Sequence, residues 1–186
     1  MGVHGILLAA GEGRRFGGPK ALARDPDGTS WLLRAVVSLR PCERITVVLG
    51  AAAEEAAALL PMSVGRVLAT DWAEGMGVSL RRGLGHVAAT DPASVAAIVT
   101  LVDLPDVDGA VVTRVVADAG EQTLRRAAYA GVPGHPVLLG RAHWSGVLAT
   151  AAGDVGAKTY LADHAGEVEL IECGDLATGA DRDTRL

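Results

Sequence analysis

Apolar positions in this chain gather into short unbroken runs separated by amphipathic stretches, the pattern of buried strands alternating with helices. Val3–Ala9 reads as the first strand, and Ala96–Val102 (AAIVTLV) as a fully buried central one. Arg44–Leu49, Val64–Leu68, Arg125–Tyr129 and Val168–Cys173 predict further strands, and Pro136–Leu139 a short extended piece. Helices are predicted over Ser30–Leu39, with Ser30 as N-cap and Pro41 past its end, and over Ala53–Leu60 and Val78–Ala88. Others are predicted from the cap Asp108 to Ala119, over His143–Thr150 and over Val155–His164. Repeated β-α-β steps with right-handed crossovers predict an α/β fold with a doubly wound, mostly parallel sheet. Ligands of such sheets sit outside the carboxyl ends of the strands. The polar turn Arg24–Thr29 (RDPDGT) is the candidate flexible segment.

Composition narrows this picture. A chain of 186 residues predicts one domain, spanning 1–186. Hydrophobic residues make up 49% but aromatics only 3%, so the core must be built from Ala, Val and Leu. Net charge is −5, with no basic patch beyond one loop, which argues against nucleic acid as a partner. Cys42 and Cys173 have no metal-ligand spacing and read as reduced structural residues, with a bridge as the alternative. No apolar run reaches membrane-spanning length, and no secretory leader precedes the first strand, so a cytoplasmic location is expected.

The candidate chemistry begins where the first strand ends. Leu7–Lys20 reads LLAAGEGRRFGGPK, a strand feeding a loop with Gly11, Gly13, Gly17 and Gly18, the cations Arg14 and Arg15, and a closing Lys20. Glycines let backbone N–H groups approach phosphate oxygens, and the cations neutralise charge. A Walker loop is excluded, because Lys20 follows Pro19 and precedes Ala21 rather than Ser or Thr. A dinucleotide fingerprint fits poorly. Phe16 stands at its third glycine, and the second strand ends in Gly50-Ala51-Ala52 without an acid for a ribose. Downstream, Asp103 in LVDLP ends the central strand, where its carboxylate suits Mg²⁺ held with substrate phosphates. A strand-end Asp also caps turns, but beside a phosphate loop the metal reading is preferred.

LAAGxGxRxGxxK resembles the signature of the MobA-like nucleotidyltransferases, the family of molybdenum cofactor cytidylyl- and guanylyltransferases. Further segments extend the resemblance over essentially the whole chain: LVDLP, EGMGVSLRRGL (Glu74–Leu84), GVPGHPVLL (Gly131–Leu139), GDVGAK (Gly153–Lys158) and GADRDT near the C-terminus. The final motif departs from the family's D-x-D-T-P-E form, because Arg185 and Leu186 replace Pro and Glu and the chain then stops. LAAG together with GMxxSL resembles the cytidylyltransferase branch, which transfers CMP from CTP to the phosphate of molybdenum-bearing molybdopterin.

The resemblance implies roles. Asp103 and Asp183, with Asp181 in reserve, would bind Mg²⁺. Lys20 and Arg14 would act on the phosphates, Arg14 mattering more than Arg15. Leu8, Ala9, Ala10, Gly11, Gly13, Gly75 and Ser79 would complete the nucleotide site, and Gly134 and His135 the acceptor side. His135 has a plain alternative as a loop-packing residue, and Asp154 reads as the cap of the following helix. Lys158 is a weaker acceptor-side candidate, Arg81 and Arg82 read as solvated, and His4, His86, His143 and His164 as incidental. The implied partners are CTP or another NTP, a phosphorylated small molecule and a molybdoenzyme that receives the product, with no membrane. Three rivals remain at this point. One is transfer of another nucleotide to a sugar phosphate. The second is an NAD(P)H-linked reductase, since some relatives are assigned as reductases of small dyes. The third is a non-catalytic nucleotide-binding chaperone.

Overall fold

The structure is a computed structural model that describes residues 2–183. Seven strands form one sheet in the order β3-β2-β1-β4-β6-β5-β7. They are β1 (Val3–Ala9), β2 (Arg44–Leu49), β3 (Gly65–Leu68), β4 (Ala96–Leu101), β5 (Leu124–Tyr129), β6 (Val132–Gly140) and β7 (Glu169–Glu172). All neighbours pair in parallel except those of β6, which runs against both β4 and β5. The α/β, mostly parallel fold is therefore as the sequence predicts. The chain lays down β1, β2 and β3 in one direction, then returns to place β4 on the far side of β1. That reversal opens a crevice at the carboxyl ends of β1 and β4, the place where such sheets bind ligands.

Side chains alternate across the sheet, so each strand feeds two cores. Leu7, Val47, Ile98 and Leu138 pack on one face against α1 (Trp31–Ser38) and α4 (Gly109–Val116). Ile6, Val48, Val99 and Leu139 pack on the other against α3 (Met76–Thr90) and α5 (Trp144–Thr150). Ile6, Leu7, Val47, Val48 and Ile98 have no solvent exposure. Burying each is worth about 1.5–3 kcal/mol, so the central strands are a rigid platform. Both expected caps form: Ser30 Oγ accepts from the Leu33 N–H at 3.4 Å, and Asp108 Oδ1 from the Ala110 N–H at 2.8 Å. Helix α2 spans Ala53–Leu59.

Four expectations need correction. The short piece at Pro136–Leu139 is the end of β6, a nine-residue strand hairpinned to β5. Pro133, Gly134 and Pro136 disguise it in sequence, because proline and glycine argue against strand interiors. The helix expected over Val155–His164 breaks into a 3-10 turn at Gly153–Val155 and α6 (Lys158–Asp163). Gly156, at φ +53°, separates them, and Asp154 caps nothing. Helix α4 stops at Val116, where Ala117 turns extended. The turn at Arg24–Thr29 is a closed hairpin rather than a loose loop. Asp25 N–H donates to Thr29 C=O at 3.0 Å, and Gly28 N–H to Asp25 C=O at 2.9 Å.

Cys42 and Cys173 are both buried free thiols, and burial pushes Cys42 up to about 12. Among the described residues no helix is long and apolar enough to cross a membrane.

Candidate active site

The loop after β1 is shaped by its own backbone. Gly17 and Gly18 N–H groups both donate to Gly13 C=O, at 2.8 and 3.1 Å, curling residues 13–18 into a compact turn. Gly13 has φ +64°, and a Cβ there would sit 2.0 Å from Gly18 O. No other residue fits that position. Phe16, the residue that spoils a dinucleotide fingerprint, is buried against Trp31 with ring centroids 5.0 Å apart. It anchors the loop to the core while Arg14 and Arg15 stay about four-fifths exposed at its outer rim. Among the described residues, no carbonyl accepts from the N–H groups of Gly11, Glu12 or Gly13. Three donors at the end of a strand make an anion cradle.

Lys20 closes the loop and points back to the crevice. Its Nζ donates to Asp103 Oδ2 at 2.7 Å and to Asp183 Oδ1 at 2.8 Å. Burial alone would lower the Lys20 ammonium, but the hydrogen bonds and charges of the two carboxylates outweigh it and raise its pKa. The Lys20 bond in turn holds the Asp183 carboxyl below its usual range, with Arg15 assisting at 3.1 Å. Lysine therefore stays charged at all physiological pH.

Carboxylate oxygens of Asp103, Asp181 and Asp183 all lie within 4.8 Å of one another. Asp103 Oδ1 is buried and has no hydrogen-bond partner among the described residues. An orphaned buried carboxylate oxygen costs stability unless something meets it. Three hard oxygen donors, one of them unsatisfied, fit a divalent cation of the Mg²⁺ or Mn²⁺ kind.

The crevice itself is an open cleft of about 480 Å³. Its walls include Leu8, Ala9, Ala10, Gly11, Gly13, Arg14, Lys20, Gly75, Ser79, Asp103 and Asp183. Every nucleotide and metal residue expected from sequence is thus in one place. The far wall is the start of α3, whose first turn has no side-chain cap. Gly75, at φ +117°, precedes it, and a Cβ there would lie 2.4 Å from the Gly153 carbonyl carbon. This close approach brings Asp154 to the cleft wall, a role its reading as a helix cap missed. Ser79 is 5% exposed, and its hydroxyl makes no hydrogen bond among the described residues, so it is available to a ligand in the cleft.

Sequence reasoning also missed Trp72 and Met76, which add apolar wall, and undervalued Arg15, which pairs with Asp183 while Arg14 pairs with Glu12. Apolar residues at the start of a helix or in the turn before it carry no chemical signature, and two adjacent arginines cannot be ranked by spacing.

Gly134 and His135 are not brought to the cleft wall. Tyr129 Oη donates to His135 C=O at 2.7 Å and holds this part of β6 in place. Burial, then the Arg126 charge, lower His135 to about 4, although the carboxylates of Asp103 and Asp181 oppose the shift. His135 is a neutral imidazole beside the acid cluster, not a cation. The C-terminal segment that carries Asp181 and Asp183 folds against the loop after β4. Arg182 N–H donates to Asp103 C=O at 2.9 Å, which places Asp181 and Asp183 at the cluster. Of the histidines read as incidental, His4 and His143 are buried hydrogen-bonding groups of the core. Lys158 is exposed on α6, away from the cleft wall.

Comparisons with known proteins bear on the family and the fold. The MobA-like NTP transferase domain matches residues 5–168. A curated relative, the nicotine blue oxidoreductase of Paenarthrobacter nicotinovorans, is 34% identical over 192 residues, covering 98% of this chain and 92% of that protein. A probable molybdenum cofactor guanylyltransferase of Rhodopirellula baltica is 36% identical over 104 residues, 55% of this chain and 48% of that protein. Among solved structures, the manganese complex of Rv0371c from Mycobacterium tuberculosis superposes with a TM-score of 0.74 at 25% identity, over 98% of this chain and 94% of that one.

Proposed function

The chain belongs to the MobA-like NTP transferases, a family of nucleotidyltransferases, and from that premise we propose that it moves CMP from CTP to a phosphorylated small molecule, releasing pyrophosphate. The proposed acceptor is molybdenum-bound molybdopterin, and the proposed metal is Mg²⁺ on Asp103 and Asp183, with Asp181 beside them. The observation that carries this reading is Lys20 Nζ lodged between Asp103 and Asp183 at the mouth of an amide-lined loop. Such a site is built for a polyanion and a divalent cation together.

An acceptor phosphate oxygen attacks the α-phosphorus of CTP, and the bond from that phosphorus to the bridging oxygen breaks as pyrophosphate leaves. Both reactants are anions, so charge and alignment are the obstacles. Mg²⁺ supplies charge neutralisation and orientation of the phosphates. The N–H groups of Gly11, Glu12 and Gly13 hold the triphosphate, with Arg14 at its solvent end. Lys20 meets the negative charge that develops on the transferring group. Gly75, Ser79 and the start of α3 receive the nucleoside. A phosphate nucleophile is already ionised, so no general base is needed.

One observation favours a second reading, an NAD(P)H-linked reductase: the relative named an oxidoreductase aligns over almost the whole chain. A lysine among three carboxylates has no part in moving a hydride. Pyrophosphate release with CTP, GTP, UTP and ATP and a panel of phosphorylated acceptors, run beside NADH oxidation, separates the two. Release fastest with CTP supports the proposal. Release with a different NTP moves the base, and NADH oxidation without any release overturns nucleotidyl transfer.

A further inference from the structure

We propose that Asp25, outside the cleft, is a positioning residue for the metal site: through Arg182 it holds the tail that presents Asp181 and Asp183 to Asp103. This inference rests on the nucleotidyltransferase reading of the cluster.

No helix or strand fixes residues 177–183, so their course depends on individual contacts. One lies upstream, where Asp106 Oδ2 accepts from Thr178 N–H and Oγ1, both at 2.6 Å. The second is Arg182, which is tied twice. Its N–H donates to Asp103 C=O at 2.9 Å, and its Nη1 donates to Asp25 Oδ1 at 2.7 Å. Arg182 reaches Asp25, while Asp181 and Asp183 on either side of it reach the acid cluster. Lys20 and Arg15 also hold Asp183 directly, and the Arg182 tie restrains the backbone between the two carboxylates.

Asp25 is a firm anchor. Its side chain is 16% exposed, it accepts from Trp31 Nε1 at 2.9 Å, and it pairs with Arg34. The guanidinium of Arg182 lies 5.4 Å from the Trp31 ring centroid, a cation–π distance. Trp31 also packs against Phe16 of the phosphate loop. A single aromatic thus fixes the loop from one side and the metal-binding tail from the other. This gives the turn at Arg24–Thr29, which lines no wall of the cleft, a way to set cation affinity.

The test is Mn²⁺ binding followed by electron paramagnetic resonance on the whole chain without nucleotide, in wild type, Asp103→Asn, Arg182→Gln, Asp25→Asn and the Arg182→Gln/Asp25→Asn double variant. Arg182→Gln leaves the Asp25–Trp31–Arg34 contacts in place. The expected result is about tenfold weaker binding in each of the last two single variants, the scale of one lost charge-assisted hydrogen bond. The double variant should be no worse than either single one, because both cut the same tie. Hydrogen exchange at the Arg182 amide should speed up in Asp25→Asn without metal. In turnover, the metal concentration for half-activation should rise more than kcat falls, and Arg182→Lys should restore part of the affinity. Wild-type affinity in Arg182→Gln, with binding lost in Asp103→Asn, overturns the positioning role alone. Wild-type binding no stronger than that of Asp103→Asn overturns the metal reading and this role with it.

Discussion

Strands β1 and β4 have a polar cluster at each end, buried at the amino end and part-exposed at the carboxyl end, and the two clusters differ in how fully their polar atoms are paired. At the amino end, His4 bonds Asp91 Oδ2 and Thr46 Oγ1, both at 2.8 Å, and Ser94 Oγ donates to the same Asp91 oxygen at 2.6 Å. Arg141 spans the Ser94 and Asp91 carbonyls at 2.6 Å each. None of these side chains leaves a buried polar atom without a partner. At the carboxyl end, Lys20 joins Asp103 and Asp183, yet Asp103 Oδ1 has no partner among the described residues. A closed network holds strands together, and an open one awaits a ligand. The same platform therefore keeps its satisfied cluster for stability and its unsatisfied one for chemistry.

The comparison breaks first if the open cluster is not catalytic. Lys20→Ala or Asp103→Ala is expected to lower turnover about 10²–10⁴-fold, the scale of losing one charge-stabilising group. Pyrophosphate release measures this, and near-normal rates in either variant would falsify the assignment. The thermal midpoint of Asp103→Asn should stay within a few degrees of wild type, because Oδ1 contributes no bond to the fold and the amide oxygen can still accept from the part-exposed Lys20.

The closed cluster should behave in the opposite way. His4→Ala strands Thr46 Oγ1 and takes one hydrogen bond from Asp91 Oδ2 in the core, at a cost of about 2–4 kcal/mol. Urea unfolding reads that loss, while turnover per folded molecule stays near wild type. A large fall in kcat with intact stability would merge the two clusters into one functional unit.

Acid sharpens the contrast further. Burial is the leading cause that depresses His4, and it brings His135 to about 4, against 6.5 for a free histidine. The unfolded chain then binds protons that the folded chain does not. Stability is complete above about 6.5 and is lost as pH falls toward 4, by at most about 1.4 kcal/mol per pH unit for each histidine. Thermal midpoints across this window should fall less steeply in His4→Asn, and an unchanged slope would remove His4 from the account. The smallest effect is on the exposed rim. Arg14→Ala should weaken NTP binding several-fold and Arg15→Ala less, with Arg14 paired to Glu12 of the loop itself and Arg15 to Asp183 of the acid cluster. Equal losses would mean that the two arginines share the triphosphate.

Much of the open cluster was legible in sequence, because glycines, cations and strand-end acids at fixed spacing leave few physical readings. Gly11, Gly13, Lys20 and Asp103 announce themselves this way, Leu8, Ala9, Ala10 and Gly75 were implied by the family resemblance, and all line the cleft. The closed cluster was not legible. His4, Thr46 and Asp91 are 42 or more residues from one another except through the sheet register, and a histidine in an apolar run carries no sign of its partners. The β5–β6 hairpin was hidden by its prolines, and α6 was misjudged because Gly156 interrupts an otherwise helical pattern. Asp25 looked like one acid of a loose turn, and only the fold shows that Arg182, 157 residues away, closes on it.

The most direct test of the central claim is calorimetric titration of wild type and Asp103→Asn with CTP, with and without Mg²⁺, beside GTP, UTP and NADH. The account predicts CTP binding that requires Mg²⁺, exceeds the other nucleotides and weakens at least tenfold in Asp103→Asn. NADH binding in the absence of any triphosphate binding, unaffected by Asp103→Asn, would contradict it.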